Sequence, residues 1–296
     1  MKILVTGRNG QLGWEMQRAL LPLGEVFATG RNVLDMSRPE TIAAVVDEVR
    51  PDVIVNASAY TAVDRAETEE ELAMTVNGVA VGELAGAARR HQALLVHYST
   101  DYVFNGQATS PYREDAPTDP QNAYGRSKLA GERAIADVGG DWLVFRTAWV
   151  YGVRGRNFMR TIADASLERE SLRIVADQHG TPTAARTIAD VSAHAIREAL
   201  LQRRTNGMVS GIYHLTSQGQ TTWHAFAEAI VGAVRTARGE AVRTRLIEPI
   251  SAKEFAAPAP RPYYSVLDCA RFDSMFGVCR PSWEAAFALV MTDYLP

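Results

Sequence analysis

The stretch Lys2-Ile3-Leu4-Val5-Thr6-Gly7-Arg8-Asn9-Gly10-Gln11-Leu12-Gly13 decides the fold. An apolar run that starts at residue 2 breaks into three glycines within seven residues. A segment carrying Leu12, Met16, Ala19 and Leu20 at helical spacing follows. Strand, tight turn and helix in that order form the setting of a dinucleotide-binding loop, because a turn without side chains lets a pyrophosphate approach the amides of a helix N-terminus. Three glycines alone could be an ordinary turn. Their flanks make Gly7, Gly10 and Gly13 candidate cofactor residues.

Working outward, short apolar runs alternate with longer amphipathic segments. The runs are Ile3–Val5, Val26–Ala28, Val53–Val55, Leu94–Val96 and Leu143–Phe145. Helices are predicted over roughly 11–21, 38–49, 70–90 and 123–138, each long enough to cross between parallel strands. Ser37-Arg38-Pro39-Glu40 reads as a capping box with an early proline. The predicted class is α/β, a Rossmann-like doubly wound parallel sheet with a smaller mixed C-terminal substrate lobe. Residues 1–150 form the nucleotide domain, to which 184–216 return, while 151–183 and 217–296 form the lobe. Trp283, Phe287, Val290, Met291 and Leu295 share a helical face, read as packing within that lobe rather than as an interface.

Bulk properties narrow the partners. With 296 residues, 31 basic and 34 acidic side chains and a net charge of -3, nothing favours nucleic acid or an anionic membrane. No apolar run reaches membrane-spanning length, and Met1 leads directly into the first strand, so a cytoplasmic protein acting on a small molecule is expected. Cys269 and Cys279 have neither metal nor bridge spacing and read as inert packing residues. The six histidines show no ligand spacing. Glu67, Glu69, Glu70 and Glu71 read as a solvated helix start.

The chemistry gathers at the strand ends. Gly30-Arg31 follows the second run, where an acid would bind ribose hydroxyls and repel a 2′-phosphate. Arg31, with Arg8, suits the phosphate of NADPH, with NADH as the weaker alternative bound through Asp35. Ala59, Tyr60 and Thr61, after the third run, would lie along the cofactor. The fourth run ends in His97-Tyr98-Ser99-Thr100-Asp101-Tyr102, either a site or a loop cap. A hydroxyl there, from Thr100 or Ser99, could bind a substrate oxygen, with Asp101 and Tyr102 facing the substrate. Tyr124 and Lys128, four apart on a predicted helix, share a face. A phenol with a pKa near ~10 is a poor proton donor until a neighbouring cation favours its ionised form. Such a spacing is common by chance; its place after the fourth strand makes it a candidate for redox chemistry on a carbonyl or alcohol.

Taken together these motifs resemble the extended short-chain dehydrogenases/reductases and, within them, the dTDP-4-dehydrorhamnose reductase family. The resemblance rests on Gly10-Gln11-Leu12-Gly13-Trp14-Glu15, Ala59-Tyr60-Thr61-Ala62-Val63-Asp64, Ser99-Thr100-Asp101-Tyr102-Val103-Phe104 and Tyr124-Gly125-x-x-Lys128-Leu129-Ala130-Gly131-Glu132. It continues through Arg146-Thr147-x-Trp149-Val150-Tyr151-Gly152, Asp177-Gln178-x-Gly180-x-Pro182-Thr183 and Arg261-Pro262-x-x-Ser265. It implies hydride delivery from NAD(P)H to C4 of a 4-keto sugar nucleotide, with Tyr124 as proton donor to O4. Lys128 would bind the nicotinamide ribose and lower the Tyr124 pKa, and Thr100 would polarise the keto oxygen. Gly10, Gln11, Leu12, Asp35, Met36, Ala59, Tyr60, Thr61 and Tyr98 would line the cofactor. Thr100, Asp101 and Trp149 would contact the substrate, and Arg261 would pair with the diphosphate or else form a surface salt bridge.

Two departures stand out. Gly30-Arg31 replaces an expected acid and favours NADPH. Some members dimerise through magnesium held by glutamates; Glu15 is present, but Arg186 stands where a further carboxylate is expected, which argues against a metal bridge. A monomer or a homodimer both fit. Two alternatives remain within the same fold, a sugar-nucleotide epimerase or dehydratase and a non-catalytic regulatory subunit. A dehydratase needs a second carboxylate after Asp101, and Tyr102 stands there.

Overall fold

The computed structural model describes residues 1–205 and 207–295. Six parallel strands make the central sheet: β1 (Lys2–Thr6), β2 (Glu25–Thr29), β3 (Val53–Asn56), β4 (Leu94–Thr100), β5 (Trp142–Thr147) and β6 (Gly211–His214). Their spatial order is β6-β5-β4-β3-β1-β2. Val5 is in register with Ala28 on one side and Val55 on the other. The chain therefore reverses its winding direction at β1, and a crevice opens beyond the carboxyl ends of β1 and β3, where open sheets hold ligands.

The helices of seven residues or more are α1 (Gln11–Leu20), α2 (Ile42–Val49), α3 (Ala80–Arg90), α4 (Ala123–Val138), α5 (Phe158–Glu168), α6 (Ala185–Arg204), α7 (Trp223–Arg238), α8 (Ala270–Phe276) and α9 (Trp283–Tyr294). Strand side chains alternate between two cores. Leu4, Ile54, Leu95 and Val144 pack with Ile42, Val46, Leu84 and Ile135 on one face. Ile3, Val5, Val55, Val96 and Phe145 pack with Met16, Leu20, Ile188 and Ile196 on the other. Each such side chain removed from water contributes roughly 1.5–3 kcal/mol, so the sheet is a rigid platform for whatever its strand tips carry.

Strand β6 pairs with β5, and α6 packs on the α1 face of the sheet. One expectation is corrected here. Leu267, Cys269, Phe272 and Phe276, assigned by the sequence to the C-terminal lobe, also pack in this first core, against Phe145 and Tyr213. The lobe has a separate core of Tyr151, Met159, Ile162, Leu172, Phe226, Ile230, Trp283 and Phe287. Trp283, Phe287, Val290 and Met291 of α9 are buried in it, as their spacing predicts. Residues 171–175 pair with 246–250, and 179–180 with 221–222, to frame it.

Cys269 is buried, whereas Cys279 is exposed and packs nothing; both are free thiols. The predicted capping box does not form. The Ser37 hydroxyl donates to Asp35 Oδ1 at 2.8 Å, and Arg38 rather than Ser37 precedes the short 3₁₀ turn at 39–41 that leads into α2, with no side-chain cap. Among the described residues, no helix is long and apolar enough to cross a membrane.

Candidate active site

A cavity of about 520 Å³ lies beyond the carboxyl ends of β1, β2 and β3. Its floor is the glycine loop. Gly7 has φ +73°, a left-handed conformation that strains other residues, and a Cβ on Gly13 would sit 2.1 Å from the Gly7 carbonyl oxygen. The turn therefore closes tightly enough to aim the free amides at the start of α1 into the cavity, a favourable place for phosphate. No side chain caps that helix end. Gly7, Gly10, Arg31, Asp35, Met36, Ala59 and Tyr60 all line the cavity, joined by Asn9, Ser37, Arg65 and Glu69. The Asp35 carboxylate accepts from the amide and hydroxyl of Ser37, both at Oδ1, and these bonds hold its pKa below the usual range. Tyr60 donates to Glu69 at 2.5 Å, and Glu69 also pairs with Arg65. These features fit a dinucleotide with a phosphorylated ribose.

The remaining sequence-assigned cofactor residues lie elsewhere. Gln11 Oε1 accepts from Asn157 of the C-terminal lobe at 2.9 Å, Leu12 packs on the core and Thr61 is exposed. Gly13 serves by close packing rather than by lining. The Tyr98 side chain also lies elsewhere. Strand alternation turns it away from the cavity into the α1 core, where its ring meets Phe145 edge-on and its hydroxyl contacts Met16 Sδ at 3.5 Å.

Helix α4, which carries Tyr124 and Lys128, does not line this cavity but lies next to it: Tyr124 and the cavity residue Tyr60 pack on the same cluster of Ala66, Ala73 and Ala123. The first turn of α4 is tightly fixed. Asn122 accepts from the Gly125 amide at 2.7 Å and donates to the Pro260 carbonyl at 2.8 Å. Glu67 accepts from the Ala123 amide at 2.8 Å and so caps α4, while Glu70 and Glu71 stand exposed in the first turn of the helix at 70–74, as the acidic run predicts. A Cβ on Gly125 would lie 2.3 Å from the Tyr102 carbonyl oxygen, and this close approach sets the Tyr124 phenol beside the β4 tip. Further along, Glu132 and Arg146 of β5 form two buried hydrogen bonds, at 2.9 and 2.6 Å. Asn77, in a π-helical turn at 75–79, joins the backbone of Tyr60 to the Ser127 hydroxyl. Asn122 and Asn77 have no role in the sequence reading, and Glu67 and Glu132 appear there without these partners; only the Asn before Ala123 carries a short-range signal, that of an N-cap.

At the β4 tip the Thr100 hydroxyl donates to Asp101 Oδ1 at 3.0 Å and accepts from the Tyr102 amide at 3.2 Å. Burial pushes the Asp101 carboxyl up to about 6. Burial also raises the Tyr124 phenol, opposed by the Thr100 hydroxyl and reinforced by the Asp101 charge. Tyr102 meets Tyr124 edge-on at 5.9 Å. Ser99 Oγ, Asp101 Oδ2 and Thr147 Oγ1 are buried at the ends of β4 and β5 without hydrogen-bond partners. Unpaired polar atoms are costly, and their concentration at one pair of strand tips marks a ligand-facing surface. The Lys128 ammonium is lowered to about 7 by burial, against the Glu132 charge; its Nζ lies 3.1 Å from His97 Nε2.

The lobe contributes Trp149, held at φ +46° and stacked on Trp223 at 3.5 Å between ring centres. Arg261 is engaged by Asp64 through both arms of its fork, with 2.9 Å contacts, and by the Ala259 carbonyl. The expected diphosphate partner is thus paired within the protein, as the salt-bridge alternative has it. Glu15 pairs with Arg18 at 3.3 Å and Arg186 at 3.6 Å, and Arg186 also reaches Asp293. A guanidinium therefore stands among these carboxylates; among the described residues no group of three metal-ligating side chains forms.

The comparisons with known proteins agree with this geometry. The family model described as the RmlD substrate binding domain matches residues 1–295. The dTDP-4-dehydrorhamnose reductase of Burkholderia thailandensis is 52% identical over 296 residues, covering 100% of this chain and 99% of its own. That of Salmonella typhimurium is 42% identical over 297 residues, covering 99% and 98%. The crystal structure of the Bacillus anthracis dTDP-4-dehydrorhamnose reductase in complex with NADP superposes with a TM-score of 0.87 at 32% identity, covering 99% of each chain. The chain belongs to the RmlD substrate binding domain family, that of the dTDP-4-dehydrorhamnose reductases.

Proposed function

We propose that this protein reduces the 4-keto group of dTDP-4-dehydro-β-L-rhamnose to give dTDP-β-L-rhamnose, using NADPH. The observation that carries the reading is the Tyr124 phenol set beside Thr100 and Asp101, on the helix of Lys128 and next to the glycine-loop cavity. When bound, NADPH supplies the hydride that C4 of the sugar receives. Tyr124 gives its proton to O4, so the carbonyl becomes a secondary alcohol and the charge balances. The Thr100 hydroxyl, turned from Asp101 to the substrate, donates to the keto oxygen and aligns it with the phenol. The start of α1 and the Gly7–Gly10 turn hold the pyrophosphate, Arg31 and Ser37 hold the 2′-phosphate, and Lys128 holds the nicotinamide ribose. Trp149 and Asp101 bound the sugar side. The protein acts in the cytoplasm, in keeping with two free thiols.

The test is NADPH oxidation that depends on the 4-keto-L-rhamnose nucleotide, made in situ by the preceding epimerase. Tyr124→Phe should lower kcat by about 10²–10⁴-fold with NADPH binding kept. An unchanged kcat in that variant would end the reading. Arg31→Ala should raise the KM for NADPH by roughly 10-fold or more and leave that for NADH alone, since a hydrogen bond to a charged group is worth about 1.5–3 kcal/mol. Equal effects on both cofactors would remove Arg31 from the phosphate site.

A further inference from the structure

A buried chain of hydrogen bonds runs from the glycine loop to Lys128. Asn56 ends β3 with its side chain buried. Its Oδ1 accepts from the Thr6 hydroxyl at 2.7 Å and from the Ser58 amide at 3.2 Å. A backbone amide can only donate, so the orientation of the Asn56 amide is fixed and its Nδ2 donates to His97 Nδ1, 3.0 Å away. An imidazole that accepts at Nδ1 while neutral carries its proton on Nε2. That Nε2 is the atom 3.1 Å from Lys128 Nζ. An ammonium has donors only, so two donors would face each other; the contact is satisfied when Nζ is a free amine accepting from His97.

We propose that His97, oriented by Asn56, is a positioning residue that holds Lys128 as an uncharged amine, so that engagement of Lys128 by the cofactor ribose is coupled to uptake of a proton. One neighbouring charge opposes this, that of Glu132, which favours the ammonium. Glu132, one turn along α4, is committed to Arg146 of β5, and Asn77 and Ser127 beside it are neutral and bonded to each other. Burial lowers the Lys128 pKa to about 7 and pushes His97 well below the usual histidine value, the latter helped by any charge on Lys128. Each group disfavours the charged form of the other.

The proposal rests on the reading of Lys128 as a cofactor-binding residue, and two measurements separate the parts. Nitrogen-15 NMR of the histidine rings, in protein without nucleotide, needs no functional assumption. The signal that disappears in His97→Gln should report a neutral ring protonated on Nε2 from pH 8 to 9, where Lys128 is the free amine. Should that variant not fold, the signal displaced in Lys128→Met identifies the residue. A ring protonated on Nδ1, or on both nitrogens, would overturn the positioning role.

Calorimetry of NADPH binding at pH 8, in buffers of different ionisation enthalpy, reads the coupling. With a pKa near 7, Lys128 is about nine-tenths unprotonated at that pH, so the wild type should take up nearly one proton per NADPH bound. The uptake should vanish in Lys128→Met. In His97→Gln it should fall by half or more, because the amide oxygen of Gln accepts from an ammonium. Binding heats that do not vary with buffer, or uptake unchanged in His97→Gln, would overturn the coupling. A protein that binds no NADPH but keeps the Nε2 tautomer would instead remove the cofactor reading.

Discussion

At the carboxyl ends of β1 to β3 the floor of the site is backbone and small residues, Gly7, Gly10, Gly30, Ala57 and Ala59, with longer side chains such as Arg31, Asp35 and Tyr60 also lining this wall. At the ends of β4 and β5 the site is walled by polar side chains, the buried Thr100 and Asp101 and the half-buried Tyr124, braced from behind by His97, Asn122, Glu132 and Arg146. The first wall needs space and amides, which a short turn provides by itself. The second needs side chains held to within fractions of an ångström, which takes partners from distant parts of the chain. The difference teaches that binding the nucleotide and aiming the proton rest on separate structural devices and should fail separately under mutation.

The largest effect expected from splitting them is at Glu132. Removing one member of a buried ion pair leaves the other charge uncompensated, so Glu132→Ala should destabilise the fold by about 3–5 kcal/mol in urea unfolding. A double replacement of Glu132 and Arg146 by leucine should recover most of that loss. A cost in the single variant below about 1 kcal/mol would mean that α4 is held by packing alone, and the contrast between the walls would weaken.

Next in size is a pH effect at the β4 tip. Asp101 has its folded pKa raised to about 6 from an ordinary 3.8, chiefly by burial. A carboxyl raised in this way binds its proton more tightly when folded. It therefore contributes stability fully below about pH 4 and loses it as pH rises through about 6. Asp101→Asn, which cannot ionise, should be more stable than the wild type at pH 8 by on the order of 2–3 kcal/mol, from about 1.4 kcal/mol per pKa unit. The advantage should disappear at pH 4. Parallel unfolding curves at the two pH values check this, and a constant difference between the proteins would show that the Asp101 carboxyl is not raised. The same variant should lose turnover while NADPH binding is preserved, which sharpens the separation of the two walls.

The two walls also differed in how far the sequence could reveal them. The glycine loop is legible because its logic is local: strand, turn and helix lie within twenty residues, and the spacing itself is the signal. Tyr124 and Lys128 are legible for the same reason, as two positions on one helical face. What holds them is not. His97 meets Lys128 across 31 residues, Glu67 meets the Ala123 amide across 56, and Asn122 meets the Pro260 carbonyl across 138. Nothing in the composition of those segments announces the contacts; only the folded sheet brings them together. That the Tyr98 side chain turns into the α1 core is equally illegible, because a strand tip offers two faces and a polar burst does not say which residue turns inward. Likewise 266–276 was assigned to the lobe by its position in the chain, although Phe272 and Phe276 fill a gap beside Phe145 that the sequence does not show.

The smallest expected effect tests whether the start of α4 is braced for stability or for aim. Asn122 closes the first turn with its Oδ1 and anchors the loop before Arg261 with its Nδ2. Loss of an N-cap of this kind costs typically ~1 kcal/mol, within about 0.5–2. Asn122→Ala should stay near the upper end of that range in urea unfolding, because the Pro260 carbonyl is also left without its donor. Asn122→Asp separates the two bonds, since a carboxylate keeps the cap on Gly125 but cannot donate to Pro260. If its stability is near that of the wild type while kcat for the keto sugar falls several-fold, the Pro260 bond serves to aim Tyr124 at the substrate. If stability and kcat fall together in both variants, the brace is structural, and the second wall is held no more specifically than the first.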